Sequence, residues 1–342
     1  MFLDIKPDVI KSLLSGDKKI VLTSHMNPDG DAVGATLGLL HFFTKKNMHV
    51  NAILPNEFPA FYKWLPGSDK ILIFEQHPKK VKRLIKEADI IFSLDYNAFN
   101  RVGQIADLLK NSSAKKIMID HHPNPEEGFD YYISTVETSS TGELVYDFIV
   151  QLGDKNLVDE KIAAALYVSI MTDTGSFSFS CNNPKTYRIA ADLIEKGIDA
   201  SKIHKLVYDN YSEDRLRLLG FALSERMIVW NDLHTAVIYL TKNDLKKFNY
   251  KVGDTEGLVN YPLSIYNINV SVLVTEKDKK IRLSFRSKGE FAVNKVVSKY
   301  FEGGGHKNAA GGYSYVSMEK TLENIKSVME RYKNELDYQI EY

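Results

Sequence analysis

The residues best suited to chemistry are histidines and aspartates in short polar segments that directly follow apolar runs. The segment HMNPDGD places His25, Asp29 and Asp31 close together. The same two residue types recur at Asp95, Asp120, His121, His122 and Asp173. Imidazole and carboxylate groups without a thiolate suit Mn²⁺ and also accommodate Mg²⁺, Zn²⁺ or Fe²⁺. Their types and spacing therefore indicate a centre for divalent cations.

Each motif alone also has a structural interpretation. Asn27-Pro28-Asp29-Gly30 is typical of a turn, and a single loop histidine is usually a polar surface residue. The HxxxDxD spacing and the His121-His122 pair directly after an apolar run favour metal binding instead. The shared position of these motifs after strands favours it further.

The elements that must position these residues form an alternating pattern. Apolar runs predict strands over 19–24, 49–54, 89–94 and 115–119. Helical segments lie between them, and small residues in helix 32–46 (Ala32, Gly34, Ala35 and Gly38) indicate close packing on a sheet. This pattern predicts an α/β fold with a mostly parallel sheet. Ligands bind outside the carboxyl ends of such strands, which is where the candidate residues lie.

The rest of the chain predicts more helices and a second domain. Helices are expected over 140–152, 158–171, 184–196 and 200–209, followed by a polar segment. Alternating strands over 234–240, 269–275 and 280–286, with helices over 291–300 and 318–336, predict a smaller α+β domain. The expected limits are 1–208 for the first domain, 209–219 for a linker and 220–342 for the second domain.

Composition excludes several classes of protein. Lys and Arg number 44, as do Asp and Glu, so the chain has no net charge with histidine neutral. Coating long nucleic acid requires many released counterions, which a balanced chain does not provide. No apolar stretch of roughly 18 residues and no signal-peptide pattern occurs. The single cysteine, Cys181, excludes an intrachain disulfide. We expect a cytoplasmic protein with no membrane partner.

The second domain has its own candidate ligand site. A glycine run, Gly303-Gly304-Gly305, precedes His306 and Lys307, and we expect it to form a loop whose backbone N–H groups wrap an anion. Arg286 can make bidentate contacts with phosphate. Taken alone, the run would be a flexible turn and Arg286 a solvated residue. With a metal centre elsewhere, a substrate clamp is the better interpretation.

Six motifs in order resemble those of the DHH phosphoesterase superfamily with a DHHA1 domain. They are HMNPDGD, the LD of Leu94-Asp95, DHH at 120–122, MTDTGSF at 171–177, FRSK at 285–288 and GGGHKNAAG at 303–311. Together they span nearly the whole chain. The layout is similar to that of NrnA-like nano-RNases and of related cyclic-di-AMP and pApA phosphodiesterases.

The resemblance implies a two-manganese site in the cleft between the domains, with Mg²⁺ or Co²⁺ able to substitute. His25, Asp29 and Asp95 would hold one ion. Asp31, Asp95, His121 and Asp173 would hold the other. Asp120 would orient an imidazole and His122 would face the substrate, so His122, Asp120 and Asp31 form the implied catalytic set. Substrate binding would fall to His122, Arg286, Ser287, Gly304, Gly305, His306 and Lys307.

The implied function is hydrolysis of very short oligoribonucleotides to 5′-mononucleotides, together with dephosphorylation of 3′-phosphoadenosine 5′-phosphate. Cleavage of cyclic-di-AMP or pApA is the alternative within the same chemistry. A manganese pyrophosphatase, a RecJ-type exonuclease and a non-catalytic nucleotide-binding module are further alternatives. Expected partners are short oligoribonucleotides, linear or cyclic dinucleotides and a nucleotide bisphosphate, without long nucleic acid. A homodimer is a candidate assembly.

Overall fold

The computed structural model of the chain describes residues 6–179 and 181–338. The outer ends of the two expected domains, residues 1–5 and 339–342, lie outside the described residues. The chain divides into two compact units, of which unit 1 ends at Asn210 and unit 2 begins at Tyr211. Each unit contains a six-stranded sheet. No helix in the described ranges is long and apolar enough to cross a membrane.

Unit 1 is an α/β structure, as the sequence predicts. Its six strands are all parallel, in the order β3-β2-β1-β4-β5-β6. The predicted sheet lacked β3 and β6, which are too short to show a clear pattern. The elements in chain order are α1 (Pro7–Leu13), β1 (Lys19–Ser24), α2 (Gly30–Lys45), β2 (His49–Leu54), β3 (Leu72–Ile73), α3 (Pro78–Glu87), β4 (Ile90–Leu94), α4 (Ala106–Lys110), β5 (Lys115–Asp120), β6 (Tyr131–Ser134), α5 (Thr141–Gln151), α6 (Glu160–Asp173), α7 (Pro184–Ile194) and α8 (Ala200–Tyr208).

The sheet of unit 1 is covered on both faces, since successive residues of a strand belong to two hydrophobic cores on opposite sides of the sheet. In β1, Ile20 and Leu22 join the core that contains α2, α5 and α6, whereas Val21 joins the core beneath α3 and α4. Burial on both faces explains why the strands are continuous apolar runs rather than alternating ones.

Two of the small residues of α2, Gly34 and Gly38, serve a different contact from the one predicted. A Cβ on Gly34 would lie 2.4 Å from the carbonyl oxygen of Ala165, and one on Gly38 would lie 2.5 Å from Leu166. Both partners belong to α6, so these glycines allow two helices, rather than a helix and the sheet, to approach closely. This approach brings Asp31 at the start of α2 next to Ser169 of α6.

Unit 2 is an α+β structure whose sheet has the order β11-β12-β10-β9-β8-β7. Its neighbouring strands are antiparallel except for the parallel pair of β8 and β9. The elements are α9 (Glu213–Glu225), β7 (Met227–Trp230), β8 (Thr235–Leu240), α10 (Lys242–Lys247), β9 (Val270–Glu276), β10 (Ile281–Ser287), α11 (Val293–Tyr300), β11 (Glu302–His306), β12 (Ala309–Ser314), α12 (Met318–Glu330) and α13 (Lys333–Leu336).

Two segments of unit 2 differ from the sequence-based expectation. Much of the expected linker, from Glu213 on, is the first part of α9, because Ser212 caps the helix and Leu218 and Ala222 are buried. The glycine run is not a loop. It lies in strand β11, where Gly303 pairs with Gly312 and Gly304 pairs with Gly311.

Candidate metal centre

The candidate residues of unit 1 gather at the carboxyl edge of its sheet. Because all six strands are parallel, their carboxyl ends lie at one edge. His25 follows β1, Asp95 follows β4, and Asp120 is the last residue of β5. The chain order reverses between β1 and β4, which is the position where open α/β sheets bind ligands.

A first cluster consists of His25, Asp29 and Asp95, whose potential ligand atoms all lie within 4.8 Å of one another. Nε2 of His25 is 3.2 Å from Oδ2 of Asp95 and 3.8 Å from Oδ1 of Asp29. Nδ1 of His25 donates to the backbone carbonyl of Met26 at 3.0 Å. That bond directs Nε2, the atom a cation would bind, toward the two carboxylates.

A second cluster surrounds the buried side chain of His121. Its Nε2 lies 3.4 Å from Asp173, 3.5 Å from Asp31 and 3.5 Å from Asp95. Asp31, His121 and Asp173 also meet within 4.8 Å. The second cluster therefore resembles the first in composition.

Asp95 belongs to both clusters. Its Oδ2 faces His25, whereas its Oδ1 faces His121 and accepts a hydrogen bond from Thr141 Oγ1 at 3.1 Å. The residue has a left-handed backbone with φ of 61°, which is uncommon for a residue other than glycine. Its backbone N–H donates to Ile119 on β5 at 3.0 Å. The turn after β4 thus fixes one carboxylate between two sets of ligands.

Asp31 is held by the start of α5 and by α6. The backbone N–H groups of Thr141 and Gly142 donate to its two oxygens at 2.8 and 3.1 Å. The Ser169 hydroxyl donates to the same carboxylate. A Cβ on Gly142 would lie 2.1 Å from the Ser169 hydroxyl oxygen, so glycine is required for this contact. Three donors keep a carboxylate that is only 1% exposed in a fixed orientation.

Asp120 holds the neighbouring imidazole of His122. Its Oδ1 accepts from Nδ1 of His122 at 2.7 Å, and its Oδ2 accepts from the His122 backbone N–H at 3.1 Å. Burial lowers the pKa of His122, and the charge of Arg101 lowers it further against the opposing effect of Asp120. His122 is therefore a neutral imidazole whose tautomer is set by Asp120.

The charges of the two clusters oppose the effect of burial on the pKa values of the two histidines and add to the effect of burial on the pKa of Asp31. Burial alone would lower the pKa of His25, but Asp29 and Asp95 outweigh it and raise the pKa to about 10. Burial also lowers the pKa of His121, but Asp173 and Asp95 outweigh burial and raise this pKa above its ordinary value. Burial raises the pKa of Asp31, and the charges of Asp95 and Asp173 raise it further.

These observations test whether the residues fit divalent cations. Four carboxylates converge with two imidazoles at mostly buried positions, which is costly unless positive charge compensates them. In the cation-free protein the compensation comes from protons. The donor set of oxygen and imidazole nitrogen suits Mn²⁺ and Mg²⁺. The residues therefore fit a centre for divalent cations.

The loop that carries His25 and Asp29 is tied to the end of β2 by Asn56. Its Oδ1 accepts from the backbone N–H of Asn27 at 2.7 Å, and its Nδ2 donates to Asn27 Oδ1 at 3.3 Å. Asn27 has a left-handed backbone with φ of 57°, and Asn56 is buried. The side chain of Asn56 thus stabilises the turn that sets the distance between His25 and Asp29.

Unit 2 places its candidate residues on two different faces of β10. Arg286 is half-buried on the side shared with the exposed Arg282, whereas Ser287 is buried on the opposite side. The Ser287 hydroxyl donates to the carbonyl of Phe291 at 2.6 Å and accepts from Asn308. The side chain of Ser287 therefore supports the fold of unit 2, and it does not share a face with Arg286.

The glycine run belongs to β11, the edge strand of the sheet. A Cβ on Gly303 would lie 2.0 Å from the carbonyl oxygen of Gly311, and one on Gly305 would lie 2.5 Å from that of Ala309. A Cβ on Gly304 would contact nothing within 4 Å in the described part of the chain. His306 ends the strand, and Lys307 forms an ion pair with Glu290.

Sequence reasoning missed the residues that hold the ligands in place. Asn56, Thr141 and Ser169 each act on a residue that is distant in the sequence, by 29 to 138 positions. Ser169 had one local signal, since it is a hydroxyl among the apolar residues of α6. Asn56 and Thr141 have no such signal. Arg101 follows Asp95 by a few residues, but its effect on His122 depends on the fold.

Both units match known families. The chain matches the N-terminal domain of the DHH family over residues 19–170 and the DHHA1 domain over residues 233–335. A crystal structure of an exopolyphosphatase-related protein from Bacteroides fragilis is 43% identical, with a TM-score of 0.91 and 97% of each chain covered. The chain belongs to the DHH family of phosphoesterases and is a hydrolase. The resemblance found in the sequence is confirmed.

Two curated relatives differ in the reactions for which they are named. NrnA of Bacillus subtilis, a bifunctional oligoribonuclease and PAP phosphatase, is 27% identical over 96% of this chain and 100% of its own length. The cyclic-di-AMP phosphodiesterase GdpP of the same organism is 25% identical over 94% of this chain. The match covers 49% of GdpP.

The first prediction concerns Asn56. Asn56→Ala removes the bonds that fix the loop between His25 and Asp29, so Mn²⁺ affinity should fall by about 10- to 100-fold. Calorimetric titration with Mn²⁺ measures this change. Asn51→Ala on strand β2, which ends shortly before Asn56, is the control, since the Asn51 side chain makes no hydrogen bond with the rest of the described chain. An affinity of Asn56→Ala within twofold of the parent would show that Asn56 does not position the ligands.

The second prediction concerns protons. Raised pKa values keep His25 and His121 protonated near neutral pH without a cation, and a cation requires both imidazoles to be neutral. Mn²⁺ binding at about pH 7.5 should therefore release protons, one of them from His25, and should weaken as the pH falls. Calorimetry in buffers of different ionisation enthalpy counts the protons. His25→Ala should reduce the count by about one, and a count of zero in the parent protein would contradict the electrostatic account.

Proposed function

We propose that this hydrolase cleaves very short oligoribonucleotides to 5′-mononucleotides with Mn²⁺, and that it also dephosphorylates 3′-phosphoadenosine 5′-phosphate. The observation that carries the proposal is the pair of ligand clusters that share Asp95. Two divalent cations held about 3.5–4 Å apart can hydrolyse phosphate esters by activating water, without a covalent intermediate on the protein. A carboxylate that faces both clusters, as Asp95 does, would hold two cations close together. The activities named for NrnA, which this chain matches over its whole length, support the same substrates.

In this proposal each cation has its own imidazole. His25, Asp29 and Asp95 would hold one cation, and Asp31, Asp95, His121 and Asp173 would hold the other. Bound divalent cations supply charge that polarises the phosphoryl group and lowers the pKa of water. The chain itself keeps the ligands in place through Asn56, through Ser169 and through the start of α5.

His122 and Asp120 would act on the substrate rather than on the cations. Asp120 accepts a hydrogen bond from the Nδ1–H group of His122. Nε2 of the neutral imidazole is therefore the atom that would face the phosphate or its leaving oxygen. A fixed, neutral imidazole can accept a proton or a hydrogen bond there. Arg101 is close enough to influence the pKa of His122 and adds positive charge for an anionic substrate.

Unit 2 would bind the part of the substrate that does not react. Arg286 presents a guanidinium suited to a terminal phosphate. Edge strands leave some backbone N–H groups unpaired, and Gly304 has room for a closely approaching ligand. His306 and Lys307 end the same strand and complete the proposed substrate-binding set together with Gly305.

Cleavage of cyclic-di-AMP or pApA is the second candidate, and the likeness to GdpP supports it. This chain corresponds to the full length of NrnA but to about half of GdpP. The match of residues 233–335 to the DHHA1 domain also supports a nucleotide substrate over pyrophosphate.

A time course of products with Mn²⁺ tests the proposed function. The substrates would be pApA, pGpG, a 5-mer RNA, a 24-mer RNA, cyclic-di-AMP, 3′-phosphoadenosine 5′-phosphate, pyrophosphate and a linear polyphosphate. The proposal predicts the highest kcat/KM for the short linear RNAs, with mononucleotides as products. A preference for cyclic-di-AMP, pyrophosphate or polyphosphate would replace it, and no hydrolysis of any substrate would reject it.

The third prediction separates substrate binding from chemistry. Arg286→Ala should raise KM for pApA by about tenfold, since it removes a charged contact with phosphate, while kcat for bis-p-nitrophenyl phosphate stays within twofold. Steady-state kinetics on both substrates measure the difference. Arg282→Ala, an exposed arginine on the same side of β10, is the control. Equal losses on both substrates would exclude a role for Arg286 in holding a terminal phosphate.

A further inference from the structure

A concentration of positive charge lies on α3 of unit 1. This ten-residue helix has five cationic residues and one acidic residue. Lys79, Lys82, Arg83 and Lys86, which we name the basic stripe, are all exposed and occupy positions i, i+3, i+4 and i+7. Residues at this spacing share one face of a helix. The opposite face is buried through Val81 and Ile85, so the stripe faces solvent.

The basic stripe is not balanced by acidic side chains. No Asp or Glu oxygen of the described chain forms an ion pair within 4.0 Å of any of its four cations. The acidic residue of the helix, Glu87, pairs with Lys19 at 3.3 Å instead. Since the whole chain has no net charge, four unpaired cations on one face are a local excess rather than a reflection of overall composition.

Hydrogen bonds connect the beginning of α3 to the loop of the metal centre. Asn56 bonds to Asn27 of that loop. The neighbouring Glu57 accepts a hydrogen bond from Gln76 Nε2 at 2.6 Å, and Gln76 lies just before the start of α3. The stripe therefore begins at the edge of the sheet that carries the candidate site and extends away from it.

We propose that the basic stripe binds the phosphate backbone of single-stranded RNA that extends beyond the reacting nucleotides. From Lys79 to Lys86 the helix rises about 10 Å, which is enough to contact about two or three successive phosphates. Lysine and arginine on an exposed face bind such a backbone without reading its sequence. This inference rests on the proposed function and adds to it a contact that distinguishes a pentanucleotide from a dinucleotide.

The test uses a variant that removes the stripe and a control with the same change in net charge. The stripe variant is Lys79→Gln, Lys82→Gln, Arg83→Gln and Lys86→Gln, because glutamine favours helix as these residues do. The control variant replaces four exposed helical lysines of unit 1 by glutamine, namely Lys11, Lys161, Lys202 and Lys205. A double variant, Lys82→Gln with Arg83→Gln, provides a milder change, and circular dichroism checks that each protein is folded.

Binding is measured by fluorescence anisotropy with a labelled pentaadenylate in EDTA, which prevents hydrolysis, across a series of salt concentrations. The stripe variant should bind on the order of tenfold more weakly at low salt, and the slope of log K against log salt should decrease by about 2. The control variant should match the parent. With Mn²⁺, kcat/KM for the pentanucleotide should fall by a similar factor, while kcat/KM for pApA should stay within twofold.

Each outcome separates the two proposals. Unchanged binding and unchanged pentanucleotide cleavage in a folded stripe variant would overturn the role of the stripe and leave the proposed function intact. Stripe-dependent binding without hydrolysis of any nucleotide by the parent would support the stripe and reject the function. Equal losses in the control variant would overturn the inference, because bulk charge would then explain them. Binding to phosphatidylserine vesicles with no binding to RNA would also overturn it.

Discussion

The arrangement of the candidate centre depends on one buried carboxylate, that of Asp95. The side chain is 2% exposed, and its two oxygens face two different histidines, His25 and His121. Burial raises the pKa of Asp95, but hydrogen bonds from His121 and His25 outweigh burial and keep the pKa well below its ordinary value. The negative charge of Asp95 is thereby fixed between two imidazoles. Protons or divalent cations must compensate this buried charge. Protonation of the histidines and binding of divalent cations are therefore two ways to compensate the same buried negative charge.

The surrounding fold satisfies this constraint by close packing rather than by further charge. Gly34 and Gly142 allow α2, α5 and α6 to approach until Ser169 and two backbone N–H groups reach Asp31. Thr141 contacts Asp95 from the same helix start. These donors are neutral, so they orient the carboxylates without neutralising them. The negative charge that attracts a cation is preserved while the geometry is fixed.

The order of strands and polar residues along the sequence was enough to predict much of the fold and of the candidate site. His25, Asp95 and His121 follow apolar strands directly, so the parallel sheet brings them to one edge whatever the packing elsewhere. Features that depend on distant partners could not be predicted in this way. Asn56 gains its role only from Asn27, and the glycine run is a strand only because β12 pairs with it. Gly303 shows why: its missing side chain is required by the carbonyl of Gly311, not by a turn.

The most direct test of the shared carboxylate is the metal content of Asp95→Asn after equilibration with Mn²⁺ and removal of excess ions. We expect about two ions per chain in the parent protein and less than about one in the variant, together with loss of hydrolysis. Asp120→Asn is the control, because Asp120 is equally buried but holds His122, and it should retain the ions. Retention of both ions and near-normal hydrolysis by Asp95→Asn would show that the Asp95 carboxylate does not hold the two clusters together.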